Sequence, residues 1–280
     1  MNFKVFLGTM LLSSIFVLQG CISEDYDGCP AYITLDMDLD KVDESIYDRD
    51  YYSVFVFDEA GYYVTRLDEK IEKGTTQYRV NIPDDGTYQF VLWSGLYSND
   101  YEIPQHLTNQ TSIDEVEVAF SDADDVIDKR PGELYYSKTT KKIKKFKDDV
   151  VKFPIEQYTT DLTVTISGLD DTTDYALTIE DSGNACKFDK TKVGSDVITF
   201  IPEEKTKSSN SLTDEFTLLK FDGNNSQPKL KLCHSKSLCY EANLIDLLNN
   251  AGIDPATSHD LNLDIVFDTA LIPVSIQVSK

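Results

Sequence analysis

Cys21 and Cys29 stand eight positions apart near the start of the chain, inside LQGCISEDYDGCP (18–30). They invite three readings: a disulfide, a metal clip, or two unrelated roles. Residues 1–20 carry one charged side chain, Lys4, and an apolar run from Val5 to Leu18. That run has the length of a signal-peptide hydrophobic region and is short for a membrane span. It ends in Leu18-Gln19-Gly20-Cys21, which has the form of a lipobox: an aliphatic residue, small or polar residues, then Cys. Cleavage between Gly20 and Cys21 would place a diacylglycerol on the Cys21 sulfur and open its amino group to a third chain. A sulfur so occupied cannot enter a disulfide, so Cys21 and Cys29 are not partners. Two or three acyl chains, at about 0.8 kcal/mol per buried methylene, anchor stably where one does not.

The other reactive side chains form no familiar constellation. His106, His234 and His259 lie in separate segments, and neither H-E-x-x-H, G-x-S-x-G nor a phosphate loop occurs. Cys233-His234 with Cys239 looks like part of a metal clip, but the other ligands that zinc needs are remote. Export favours a disulfide between Cys233 and Cys239, with a pairing of Cys186 to either one as the rival and free buried thiols as the plain alternative. Carboxylates are so numerous that a chance Glu–Asp pair carries no information about glycoside hydrolysis. DADDVID (122–128) lacks the Gly and terminal Glu of a calcium loop and reads as a solvated loop. No catalytic residue, metal or cofactor is expected. KKIKKFK (141–147) is the one basic cluster; on a strand it marks a protected edge, with contact to acidic partners as the sharper reading.

Composition limits the partners. The chain has 280 residues, 26 basic against 49 acidic. Cleavage before Cys21 removes one Lys and no acid. The resulting surface repels nucleic acid and anionic headgroups, so any membrane attachment rests on lipid and not on charge. A 41% apolar content with 16 Tyr and 14 Phe excludes a disordered chain.

The elements that must carry these residues are mostly strands. AYITLDMDL (31–39) alternates apolar and polar residues. YYSVFVFD (51–58) and the segment after it flank Gly61, where a short turn needs positive φ. QYRVNI (77–82), TYQFVLWSG (87–95), IDEVEVAF (113–120) and LYYSKTTKKIKKF (134–146) complete a first set. TYQFVLWSG is apolar enough for a central strand, and the loop 96–110 should cover one end. Strands at 161–167, 175–181, 196–202, 214–221, 229–234, 260–268 and 271–279 form a second set, with one helix at 241–250 stopped by Gly252. The pattern predicts an all-β chain of two tandem sandwiches. The expected organisation is a signal peptide (1–20), a tether (21–30), a first sandwich (31–155) and a second (156–280).

The order of local patterns carries a resemblance. Cys21-x3-Asp25 and Cys29-Pro30 precede the first strand; VFVFDEAGYYVTRL (54–67), IPDDGTYQFVLWSGL (82–96) and LYYSKT (134–139) follow, with an LIDLL helix and a closing VSIQVS. Together these resemble the FimB/Mfa-type fimbrial anchor lipoproteins of the Bacteroidales. The resemblance implies two transthyretin-like Greek-key sandwiches at the base of a type V pilus. It implies lipid anchoring in the outer membrane at the cell surface, a role in holding the polymer and limiting its length, and binding of stalk or accessory subunits by β-strand addition. The acidic Ser23-Glu24-Asp25 behind Cys21 resembles the surface-export signal of Bacteroides lipoproteins. The first basic residue after Cys21 is Lys41, so little leader exists for a protease to remove, as expected of a permanently lipidated anchor. The rival reading is a glycan-binding surface lipoprotein of a nutrient-uptake locus, with Trp93, Tyr97 and Tyr101 as its platform; Trp93 lies in an apolar strand and reads first as core.

Overall fold

The computed structural model describes residues 31–38, 51–70, 72, 77–96, 100–121, 125–145, 147, 149–194, 197–221, 227–234, 238–268 and 270–279. Its first strands are β1 (Ala31–Asp38), β2 (Tyr51–Phe57), β3 (Tyr63–Lys70), β4 (Gln77–Ile82) and β5 (Gly86–Ser94). There follow β6 (Tyr101–Glu102), β7 (Glu117–Phe120), β8 (Val126–Ile127), β9 (Tyr135–Ile143), β10 (Asp149–Pro154) and β11 (Glu156–Gln157). The second half holds β12 (Thr159–Ser167), β13 (Tyr175–Ser182), β14 (Ala185–Lys187), β15 (Lys192–Val193), β16 (Val197–Phe200) and β17 (Glu203–Lys207). It closes with β18 (Ser211–Leu219), β19 (Lys229–His234), β20 (Leu238–Asn243), the helix α1 (Leu244–Asn250), β21 (Asp260–Phe267) and β22 (Pro273–Ser279). The fold is all-β and built of sandwiches.

In the first sandwich an outer sheet, β10-β1-β4, faces a middle sheet, β11-β9-β5-β2-β3. Alternation in β1 puts Ile33, Leu35 and Met37 inward, where they meet Val54, Val56, Phe90 and Leu92 of the middle sheet. The middle sheet is covered on its second face too. Phe55, Phe57, Val91 and Trp93 point away from the outer sheet into a second core. Burial on both faces explains why VFVF and FVLW are unbroken apolar runs, while β1, covered on one face, alternates.

The second sandwich pairs a β20-β19-β13-β16-β8 sheet with a β17-β18-β12-β21-β22 sheet. Two of its features come from the first half of the chain. β8 adds to β16 in parallel, aligning Val126 with Thr199 and Ile127 with Phe200. β7 pairs with β14, Val118 opposite Cys186, in a shared sheet of order β15-β14-β7-β6. The second core therefore runs without a break from Trp93 and Tyr136 through Val118 and Phe120 to Phe188, Phe200 and Leu232. Arg130 fastens the same junction: its guanidinium donates to Asp161 at 2.9 Å, to Thr217 at 3.0 Å and to Glu215.

Several sequence expectations change in detail. Residues 113–115 form a 3-10 turn and not a strand, because Ser112 and Glu115 make a capping box: Ser112 N–H donates to Glu115 Oε2 at 2.9 Å. The strand is then only β7. The expected helix at 241–250 begins at Leu244, where Asn243 Oδ1 accepts from Asp246 N–H at 3.1 Å; residues 241–243 end β20 instead. Gly61 has φ +85° at the β2–β3 turn, where its N–H donates to Asp58 at 3.0 Å. The stretch expected to cover one end of the sandwich enters the core: Tyr101 stacks on Phe120 at 5.3 Å and donates to Gly132 O at 2.7 Å.

Candidate functional site: two open sheet edges

Gly20, Cys21 and Cys29 lie outside the described residues, as do Asp122 and Asp124 of the acidic loop and Phe146 of the basic cluster. Cys233 and Cys239 are joined in a disulfide across the β19–β20 ladder, with Cα atoms 4.1 Å apart. Cys186 is a free, buried thiol; burial pushes its pKa well up, so it is an inert part of the core. His234 stacks on Tyr175 at 4.7 Å, and His259 sits at the entry to β21, remote from it in sequence and element. Among the described residues no group of three His, Cys, Asp or Glu could hold a metal ion.

The aromatic platform of the glycan reading is not assembled. Trp93 is wholly buried, its ring 4.7 Å from Tyr136 and 5.4 Å from Tyr158, and Tyr101 is in the core; Tyr97 lies outside the described residues. Buried rings cannot stack on a sugar.

What the surface of the described residues does offer is unpaired strand edge. β9 is bonded to β5 along its whole length, Tyr135 to Ile143, but β11 covers its other side only at Tyr135 and Tyr136. The reason is local. After β10 in the outer sheet, the chain crosses at Pro154-Ile155 to the middle sheet and pairs for two residues before turning into β12. Among the described residues, 137–143 are left as a free edge beside β10. A groove of about 600 Å³ opens there, lined by Ser137, Thr139 and Thr140 on one side and Pro154, Glu156 and Lys190 on the other. Lys190 pairs with Glu156 and lies 4.8 Å over the Tyr136 ring. Burial, then the charge of Lys220, lowers its pKa. Ser137 Oγ is buried and has no hydrogen-bond partner.

The second edge is β22, which among the described residues pairs with β21 on one side only. Tyr240 of β20 packs on Phe267 of β21 at 5.0 Å, so the facing sheet ends at β21 and β22 overhangs it. Ile272, Val274 and Ile276 are consequently exposed, at 57%, 63% and 39%. Only Val278 of this strand reaches the pocket beneath α1, beside Leu244 and Leu263. The closing strand is thus paired at home, antiparallel to β21, with exposed apolar side chains on its overhanging face.

Sequence reasoning found the lysines of the first edge and read them as edge protection, with contact to acidic partners as the sharper reading. It missed the groove, because the two-residue crossing at 156–157 has no periodicity to detect.

Comparison with known proteins places this arrangement. The structure is similar to the fimbrial anchor protein Mfa2 from Porphyromonas gingivalis, with TM-score 0.77 and 16% identity over 90% of this chain and 98% of that one. It is also similar to a Bacteroides thetaiotaomicron structure described as a putative polysaccharide binding protein (TM-score 0.71, 19% identity, 90% and 96% covered). A putative adhesin from the same organism matches with TM-score 0.70 and 15% identity, covering 90% and 96%. At such identities the likeness is one of fold. No curated protein sequence matches the chain. The sequence family described as fimbrillin-A associated anchor proteins Mfa1 and Mfa2 matches residues 26–280, and the chain belongs to that family.

Proposed function

We propose that this protein is a lipid-anchored component of the outer membrane that holds a type V fimbria at the cell surface and limits its length. The observation that carries the reading is the family match, which spans residues 26–280 and so takes in both sandwiches. The lipobox at Gly20-Cys21 supports an acyl anchor on Cys21, and the acidic residues behind it support surface export. The free edges support binding of a fimbrial subunit by strand addition, in which backbone hydrogen bonds give affinity and alternate side chains give selectivity. In this reading the function is mechanical and needs no reaction: β-strand pairing on one side, acyl chains in the bilayer on the other, and a rigid pair of sandwiches between them.

Deletion of the gene followed by electron microscopy tests the role. Lost fimbriae, or overlong fimbriae shed into the medium, are expected; fimbriae of unchanged length and attachment would refute it. Cys21→Ala should move the protein from the membrane fraction to the soluble fraction, and continued membrane retention would refute the lipid anchor.

A further inference from the structure

The two open edges differ in charge, and that difference selects an occupant for one of them. Along residues 137–143, strand alternation sends Lys138, Thr140 and Lys142 to one face and Ser137, Thr139 and Lys141 to the other. Lys138, Lys141 and Lys142 are exposed, as are Lys144 just beyond the strand and Lys152 on β10, which lines a neighbouring pocket with Asp36 and Asp38. Lys190 stands at the groove mouth. Three exposed lysines, Lys138, Lys141 and Lys142, thus lie along one strand edge, and Lys138 and Lys190 line its groove, on a protein of net charge −23. Acids stand close by as well: Glu156 is paired with Lys190, Asp189 feels Lys138, and Asp149 accepts from the Lys144 N–H at 3.2 Å, but among the described residues the groove lining itself holds Glu156 as its one acid. The free edge runs for roughly 20 Å, the length of an ordinary strand.

Lysines on an edge repel a second copy of that edge, and this alone could explain them. Three further observations point to a ligand. The edge is not closed off by a bulge or a covering loop among the described residues but faces a groove of about 600 Å³. The Ser137 hydroxyl, 2% exposed, lines that groove with no hydrogen-bond partner, and a strand laid along β9 would bring main-chain groups within its reach. The positive rim is set against an acidic body, so the local field draws in the opposite charge.

We propose that the free edge of β9, residues 137–143, receives an extended acidic segment of a fimbrial subunit, which joins the middle sheet as an added strand. The proposal rests on the anchor reading and names where and by what chemistry the subunit is held. Backbone bonds to β9 would supply the affinity. Acidic side chains at alternate positions would meet Lys138 and Lys142 on one face and Lys141 on the other.

The test uses the full chain in cells that assemble fimbriae. A photo-crosslinking residue, p-benzoylphenylalanine, replaces Thr140 in one strain and Val274 of β22 in another. Light should join position 140 to a fimbrial subunit, through a segment that mass spectrometry shows to carry acidic residues at alternate positions; position 274 should give no such adduct. Lys138→Glu with Lys142→Glu should lower the adduct about tenfold, while Lys138→Arg with Lys142→Arg should preserve it. An adduct at position 274 and none at 140 would overturn the proposal, as would a joined segment without acids or an undiminished adduct after charge reversal. If deletion of the gene alters the fimbriae while position 140 joins nothing, the anchor reading survives and this site falls. If deletion leaves the fimbriae unchanged, the anchor reading fails and takes the site with it.

Discussion

The molecule has two cores of different kinds. One lies between the outer and middle sheets and, among the described residues, is made only of residues from Ala31 to Ile155, all of the first sandwich. The other begins on the far face of the middle sheet and ends under α1, drawing on both halves of the chain. A private core makes a domain that could stand by itself. A joint core makes two halves that depend on one another. For a protein read as a tether under load, the second arrangement means that the halves resist separation by core burial and by ladder hydrogen bonds from β7 and β8, and not by a linker.

The sharpest way to break this contrast is to cut one large side chain from each core. Trp93→Ala and Phe90→Ala are neighbours in β5 but face opposite ways. Each should cost about 4 kcal/mol. The comparison lies in what is lost with it. Hydrogen exchange should show Trp93→Ala weakening protection in β9, β12 and β19 together, and Phe90→Ala weakening β1, β4 and β10 first. Loss of protection confined to the first half in both variants would mean that the joint core does not couple the halves.

Next in size is the buried ion pair of Lys192 and Asp181, each side chain 2% exposed. It ties β15 of the shared sheet to β13 of the second sandwich. Lys192→Met should cost about 3 kcal/mol, because it strips the countercharge from a buried carboxylate. The double variant Lys192→Met with Asp181→Leu should recover much of that loss. Denaturant unfolding of the three proteins measures it, and a double variant no better than the single one would show that neighbours other than the pair set the cost.

How much of the two cores could be read in the sequence follows from strand length. β1 and β12 alternate over eight and nine residues, and the side facing the core is plain from the pattern. The run FVLW marks a central strand, but the second layer that buries VFVF and FVLW on both faces was not read from the pattern. Nor was the joint itself. β6, β8, β11 and β15 are two residues long and β14 is three, too short for any period to show. Their pairing is decided by tertiary contact: Val118 is buried because Cys186 and Phe188 come to it from 68 and 70 residues away. The same limit hid the groove at β9. Its lysines were visible, but the crossing at Pro154 that leaves them beside an open edge was not.

The disulfide should have a smaller effect, and one that does not touch the joint. It closes a short loop between β19 and β20, at the edge of the second sandwich away from the middle sheet. By loop entropy it contributes about 2 kcal/mol. Cys233→Ser with Cys239→Ser should lower the unfolding midpoint accordingly while leaving exchange protection in β7 and β14 as it was. Loss of protection in those strands would place the disulfide in the coupling between halves.

The smallest expected effect is a pH dependence at the seam. His259 is half-buried, its backbone oxygen accepts the Asp161 N–H at 2.6 Å, and its Nδ1 is buried without a hydrogen-bond partner. Burial, then the charge of Lys220, lowers its pKa below the usual value, against a backbone hydrogen bond at Thr159 that raises it. A lowered pKa means that the folded state holds the neutral ring while the unfolded chain binds the proton more readily. This contribution to stability is therefore fully present above about pH 6.5 and is lost as pH falls through the folded-state value. The seam at β12 should loosen in mild acid before the private core does. His259→Gln removes the titrating group, so the variant should lose less stability than the wild type between pH 7 and 5, by a fraction of the disulfide's contribution. Equal slopes in that window would show that the ring at the seam stays hydrated, and that the joint core is no more sensitive to acid than the private one.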